Sequence, residues 1–70
     1  MIDYSPLWMT MKEKHISQYY LLQHNIDNRT LNALKKNKNI TLLTLEKLCR
    51  LLDCTPNDIV SFREDEEEKP

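Results

Sequence analysis

ISQYYLLQHNIDNRTLNALKKNK, residues 16–38, is the stretch that decides the fold. Ser17 and Asp27 are strong helix N-caps. Asn25-Ile26 between them supplies a turn, because asparagine enters left-handed geometry more easily than most residues. The stretch is predicted to form two short helices. The first follows Ser17 to about His24, with Tyr20 and Leu21 facing inward. The second opens at Asp27, whose carboxylate also complements the positive end of the helix dipole. A helix turns by about 100° per residue. Viewed down its axis, Leu31, Leu34 and Thr30 then share a packed side. Asn32, Lys36, Arg29 and Ala33 share the outward face, with Asn28 at its edge and at the helix tip. A short helix with an amide-and-cation face on an apolar scaffold is what reading the DNA major groove requires.

Outward from this pair, Ser5-Pro6 reads as a helix start, with Ser5 capping and proline at the first helical position. Tyr4 and Met9 stand where a hydrophobic staple would form. Leu7, Trp8 and Met11 make the apolar stripe of a helix from about Pro6 to Lys14, and His15-Ile16 connects it to the next. Asn37, Lys38 and Asn39 break the third helix into a polar, basic loop. Thr41 then caps a fourth helix, in which Leu45, Leu48, Cys49 and Leu52 follow i, i+3, i+4, i+7 spacing. Thr55-Pro56 repeats the start signal for a single helical turn that holds Ile59 and Val60 on the core, with Phe62 sealing the end. Trp8, Tyr20 and the leucines are expected in the core. Tyr4 and Tyr19 are read as exposed aromatics that could touch DNA or a second subunit.

Composition agrees with this order. Seventy residues allow one small core, and the chain has no glycine. Tight hairpins and phosphate-cradling loops usually need glycine, so its absence favours an all-helical protein over a nucleotide-binding enzyme. The net charge of −1 hides a division along the chain. Residues 63–70 carry two cationic and five anionic side chains, leaving eight against six in residues 1–62. Arg29, Lys35, Lys36 and Lys38 concentrate the positive charge. The expected organisation is a domain over residues 1–62 and a disordered acidic tail over 63–70, either simply solvated or folded back on the basic face. Two cysteines five apart and no evident signal peptide suggest a reducing cytoplasm, and no apolar run is long enough for a membrane span. His15, His24, Cys49 and Cys54 lack zinc-ligand spacing, and Cys49 fits the apolar stripe as a small hydrophobe. No nucleophile–base signature points to catalysis. No metal, cofactor or small-molecule ligand is expected.

Ile16-Ser17, Leu21, Ile26-Asp27, Thr30-Leu31 and Leu34, followed by Leu45-Glu46-Lys47-Leu48-Cys49 and Leu52-Asp53-Cys54-Thr55-Pro56-Asn57-Asp58-Ile59, resemble the Cro/CI-type (XRE) helix-turn-helix family over about residues 4–62. Asn25 stands where the family commonly has glycine, in a turn one residue shorter. The resemblance implies an all-α, compact five-helix lambda-repressor-like fold. It also implies a sequence-specific DNA-binding transcriptional regulator, a repressor, often homodimeric and binding double-stranded DNA. Recognition helices of the family enter the groove by their N-terminal end, so Asn28, Arg29, Asn32 and Ala33 are the expected base contacts. Arginine suits guanine, asparagine suits adenine, and a methyl group suits thymine. Gln18, Lys36, Lys38 and Asn39 are the expected phosphate-backbone contacts. Lys35 lies closer to the packed side of the helix and is a weaker candidate. The alternative is a protein-interaction module on the same scaffold, antitoxin- or antirepressor-like, without strong DNA binding of its own.

Overall fold

A computed structural model describes residues 1–64. Along the chain come β1 (Ile2–Asp3), α1 (Ser5–Glu13), α2 (Gln18–Gln23), α3 (Asn28–Lys35), α4 (Leu42–Leu52), a 3-10 turn (Pro56–Asp58) and β2 (Ser61–Phe62). Three helices open on the expected caps. The Ser17 hydroxyl accepts from the Tyr20 N–H at 3.2 Å, the Asp27 carboxylate from the Thr30 N–H at 2.8 Å, and the Thr41 hydroxyl from the Thr44 N–H at 3.1 Å. Each satisfies one of the donors a helix start leaves unpaired.

α1 departs from its expected start. Ser5 is the first helical residue, and Tyr4 occupies the cap position without a side-chain bond. The Asp3 carboxylate supplies the acceptor instead, taking the Ser5 N–H at 3.0 Å and the Ser5 hydroxyl at 2.7 Å. Those bonds hold the Asp3 carboxyl below its ordinary range. The Tyr4–Met9 staple does not form, because Tyr4 is buried while Met9 is 64% exposed. One residue of helix register separates the two arrangements.

All four helices close in the same way without glycine. His15, Asn25, Asn37 and Asp53, at φ of 52° to 73°, take the left-handed position after α1, α2, α3 and α4. The next residue's N–H then reaches back to the last turn: Ile16 to Met11 O, Ile26 to Leu21 O, Lys38 to Ala33 O and Cys54 to Cys49 O, at 2.8–3.1 Å. This is the Schellman closure. After α1, α2 and α4 the returning residue is apolar and belongs to the core or packs on it. After α3 it is Lys38, which stays exposed.

One core results. Leu7 and Met11 of α1, Leu21 of α2, Leu31 and Leu34 of α3, and Leu48 and Leu52 of α4 meet around Ile26 and Ile59. The Thr10 hydroxyl donates to the Asp58 carbonyl at 2.8 Å, which ties α1 to the 3-10 turn. Trp8 and Tyr20 are half-buried, whereas Leu22, Leu42 and Leu43 are exposed, so the expectation that every leucine is core fails on α2 and at the start of α4.

The five-helix expectation is corrected to four α-helices. Around Thr55-Pro56 the chain makes only a 3-10 turn, closed by the Asp58 carboxylate accepting from the Thr55 N–H and hydroxyl. The chain then extends, because Val60 to Arg63 follow the N-terminal segment rather than a helix axis. β1 and β2 pair antiparallel, Ile2 opposite Phe62 and Asp3 opposite Ser61, so the fold is mostly rather than wholly helical. Phe62 does not seal the core; it is 80% exposed. Arg63 extends the pairing through hydrogen bonds to Met1 and lies 3.8 Å from the Asp3 carboxylate. The acidic tail from residue 65 onward lies outside the described residues. Among those described, no helix is long and apolar enough to cross a membrane.

Candidate nucleic-acid interface

α3 divides its residues as its spacing demands. Leu31 and Leu34 are buried, Thr30 and Ala33 are half-buried, and Asn28, Arg29, Asn32, Lys35 and Lys36 are exposed. The cap that starts this helix also sets its charge. The Asp27 carboxyl lies below its ordinary range, chiefly because it accepts the Thr30 N–H, with the Arg29 and Lys47 charges adding to the effect. Lys47 further approaches the turn, its ammonium 3.4 Å from the Asn25 carbonyl.

A shallow groove runs between α3 and the start of α4, lined by Arg29, Thr30, Ala33, Asn39, Ile40, Thr41 and Thr44. It brings together three of the expected site residues, Arg29, Ala33 and Asn39. Asn28, Asn32 and Lys36 remain on the open face of α3, and Lys38 is exposed in the following loop. Gln18 is exposed at the first position of α2. The groove also holds the Thr41 and Thr44 hydroxyls, 2.9 Å apart. The cap they form is legible in the sequence; their place beside Arg29 is not, since it depends on how the 36–41 connection turns.

That connection is fixed by Tyr4, which the sequence suggests is exposed. Tyr4 is in fact 2% exposed. Its N–H donates to the Asn37 side-chain oxygen at 3.0 Å, and its hydroxyl donates to the Lys38 carbonyl at 2.6 Å. Asn37 thus both closes α3 in left-handed geometry and binds the start of α1. Burial pushes the Tyr4 hydroxyl pKa up, which keeps it a donor. Tyr4 is therefore a positioning residue for α3 and the basic loop. Its signal in the sequence is only a tyrosine before Ser-Pro.

The histidines and cysteines take structural places. His24 stacks on Tyr20, ring centroids 4.0 Å apart, and its Nδ1 lies 2.8 Å from the Tyr20 carbonyl. A carbonyl only accepts, so Nδ1 carries the proton. Cys49 and Cys54 are half-buried at the end of α4. Burial, with Cys49 and Asp58 alongside, pushes the Cys54 thiol up to about 11. A thiol so held is a poor nucleophile or metal ligand at neutral pH.

A capped two-helix unit with a short turn and an exposed amide-and-cation face on its second helix defines a small helix-turn-helix DNA-binding domain. The chain belongs to the Cro/C1-type HTH DNA-binding domain family, whose description matches residues 6–65. Over 32 residues, 46% of this chain, it is 50% identical to the uncharacterized HTH-type transcriptional regulator YozG of Bacillus subtilis (strain 168). That match spans 38% of the relative's length. The fold is similar to the crystal structure of transcriptional regulator VanUg (Form II), with a TM-score of 0.80 at 26% identity, over 86% of this chain and 81% of that one.

Proposed function

We propose that the protein is a sequence-specific transcriptional regulator, a repressor, that lays the N-terminal half of α3 in the major groove and acts as a homodimer in the cytoplasm. The observation that carries this reading is the division of α3, with Leu31 and Leu34 buried and Asn28, Arg29 and Asn32 exposed at the end that would enter the groove. Arg29 donates to guanine O6 and N7, Asn28 and Asn32 pair with adenine edges, and the Ala33 methyl meets thymine. Gln18, Lys36, Lys38 and Asn39 hold phosphates on either side. Two copies present two α3 helices to successive major grooves, about 34 Å apart.

The test is selection from a randomised duplex library at near-physiological salt. An inverted repeat is expected, and Arg29→Ala should relax one position per half-site at a loss of about 1–3 kcal/mol. Binding that shows no enriched sequence and disappears with added salt would sink the reading. One observation favours a second reading, a protein-interaction module: Leu42, Leu43 and Phe62 expose 82%, 70% and 80% of their surface. Recovery of a partner protein in the absence of nucleic acid, without sequence-selective DNA binding, would establish that reading instead.

A further inference from the structure

Three of the four helices close on an apolar residue, and α3 does not. Ile16, Ile26 and Cys54 return to the core or pack on it after α1, α2 and α4. An apolar contact ordinarily accompanies this closure. After α3 the returning residue is Lys38, which is exposed. The anchor comes instead from Tyr4, 34 residues before Lys38, a member of the core cluster and 2% exposed. Its N–H donates to the Asn37 side-chain oxygen at 3.0 Å and its hydroxyl to the Lys38 carbonyl at 2.6 Å. Position 38 can thereby carry a cation while the closure is kept.

Both peptide groups that flank Lys38 are held. Its N–H donates to the Ala33 carbonyl at 2.8 Å, and its carbonyl accepts from Tyr4. Peptide groups are rigid planes, so holding the two fixes both soft torsions of the Lys38 backbone and with them the direction of its Cβ. The second plane also carries the Asn39 nitrogen and Cα, so the same hydroxyl sets where the Asn39 side chain begins. Lys38 and Asn39 are both exposed.

We propose that the Tyr4 hydroxyl is a positioning group for DNA binding: by holding the peptide between Lys38 and Asn39, it aims both side chains at one stretch of phosphate backbone. Tyr4 is buried, touches no DNA and acts through those two residues. Groups ordered before they bind lose less freedom on binding, which is how a hydroxyl away from the phosphate raises affinity. The inference rests on the DNA-binding reading above and states what holds its phosphate grip in place.

Fluorescence anisotropy of the full chain on a random-sequence duplex, over a series of salt concentrations, tests it. Lys38→Ala combined with Asn39→Ala should weaken binding and flatten the slope of log affinity against log salt by about one, as a lost phosphate contact requires. Tyr4→Phe keeps the ring and the N–H. It should weaken binding about three- to ten-fold, the range of one hydrogen bond, and flatten the same slope. In the chain lacking both side chains, Tyr4→Phe should change affinity by less than about two-fold, a non-additivity that general loosening of the fold would not produce. Backbone relaxation gives a check that needs no variant: the Asn39 amide of the wild type should be as rigid as that of Leu34 on the picosecond-to-nanosecond timescale. A mobile Asn39 amide overturns the proposal, as does a Tyr4→Phe effect of equal size with and without the two side chains. If Lys38→Ala with Asn39→Ala leaves binding unchanged, the phosphate-grip reading fails and the inference with it. If that pair weakens binding and Tyr4→Phe does not, the inference fails alone.

Discussion

The α2–α3 unit and the β1–β2 strap obey opposite rules. In α3 and the turn before it the side chains separate by type: Ile26, Leu31 and Leu34 are buried, and Arg29, Asn32 and Lys36 face outward, while on α2 Leu21 is buried and Tyr19 and Leu22 are exposed. At the strap and the neighbouring first turn of α4, leucine and phenylalanine lie on the surface while Asp3 is buried. The first region is assembled by caps three residues from their donors and by turns closed across five or six residues. The second is assembled by pairs about sixty residues apart. Local chemistry sets the ends and sides of the helices; long-range pairing joins the termini and leaves apolar side chains exposed beside them.

The sharpest way to separate the regions is to cut an apolar side chain in each. Leu34→Ala, at a fully buried site, should cost about 2–5 kcal/mol in chemical denaturation. Phe62→Ser should change the monomer's stability by less than about 0.5 kcal/mol. A comparable loss at both sites would erase the distinction.

Next in size is the cap of α3. Asp27→Ala should destabilise the domain by about 1 kcal/mol. It should also alter the acid limb. The Asp27 carboxyl is depressed below its ordinary value of 3.8, first by the Thr30 N–H bond. A depressed carboxyl contributes stability above its unfolded pKa and loses it as pH falls through the folded one. The wild type should therefore weaken below about pH 4 more steeply than Asp27→Ala, with the remaining slope due in part to Asp3, which is depressed likewise.

Tyr4→Phe probes the tie between the two regions. Removing the hydroxyl leaves the Lys38 carbonyl without this donor and should cost about 0.5–1.5 kcal/mol. The smallest effect is expected at a helix end: His15→Gly should relieve a left-handed non-glycine residue and stabilise by about 0.5 kcal/mol, read as a raised Tm.

What the sequence discloses follows the same division. The caps at Ser17, Asp27 and Thr41, the break at Asn37 and the sidedness of α3 depend on neighbours, so they are legible. Asn25 is legible as a turn and Asn37 as a break, yet the left-handed geometry of His15 and Asp53 is not, because histidine and aspartate are also ordinary surface residues. The Ser5 cap yields to a neighbour two residues away, whereas the Tyr4–Met9 staple and the fifth helix fail where a distant segment overrides the local signal. Asp3 replaces Ser5 as acceptor, Asn37 and Lys38 capture Tyr4, and β1 draws residues 61–63 into a strand. The outward face of α3 can be named from helical periodicity, and the choice of base-reading candidates on it is what the family resemblance implies, whereas the groove wall of Thr41 and Thr44 needs the path of residues 36–41.

The strap also bears on the order in which the chain acquires its structure. Every helix and turn from α1 to α4 closes over a few residues, whereas β1–β2 must close a loop of about sixty, whose entropic cost is met only once the helices have condensed. The strap should then form after the folding barrier, so that altering Met1, Ile2 or Arg63 accelerates unfolding and leaves the folding rate unchanged. Its amides should exchange through partial opening while those of Leu31 and Leu34 exchange only with global unfolding. The helical scaffold would thus persist while its terminal edge opens and recloses, a fluctuation that repeatedly uncovers the half-buried Ile2.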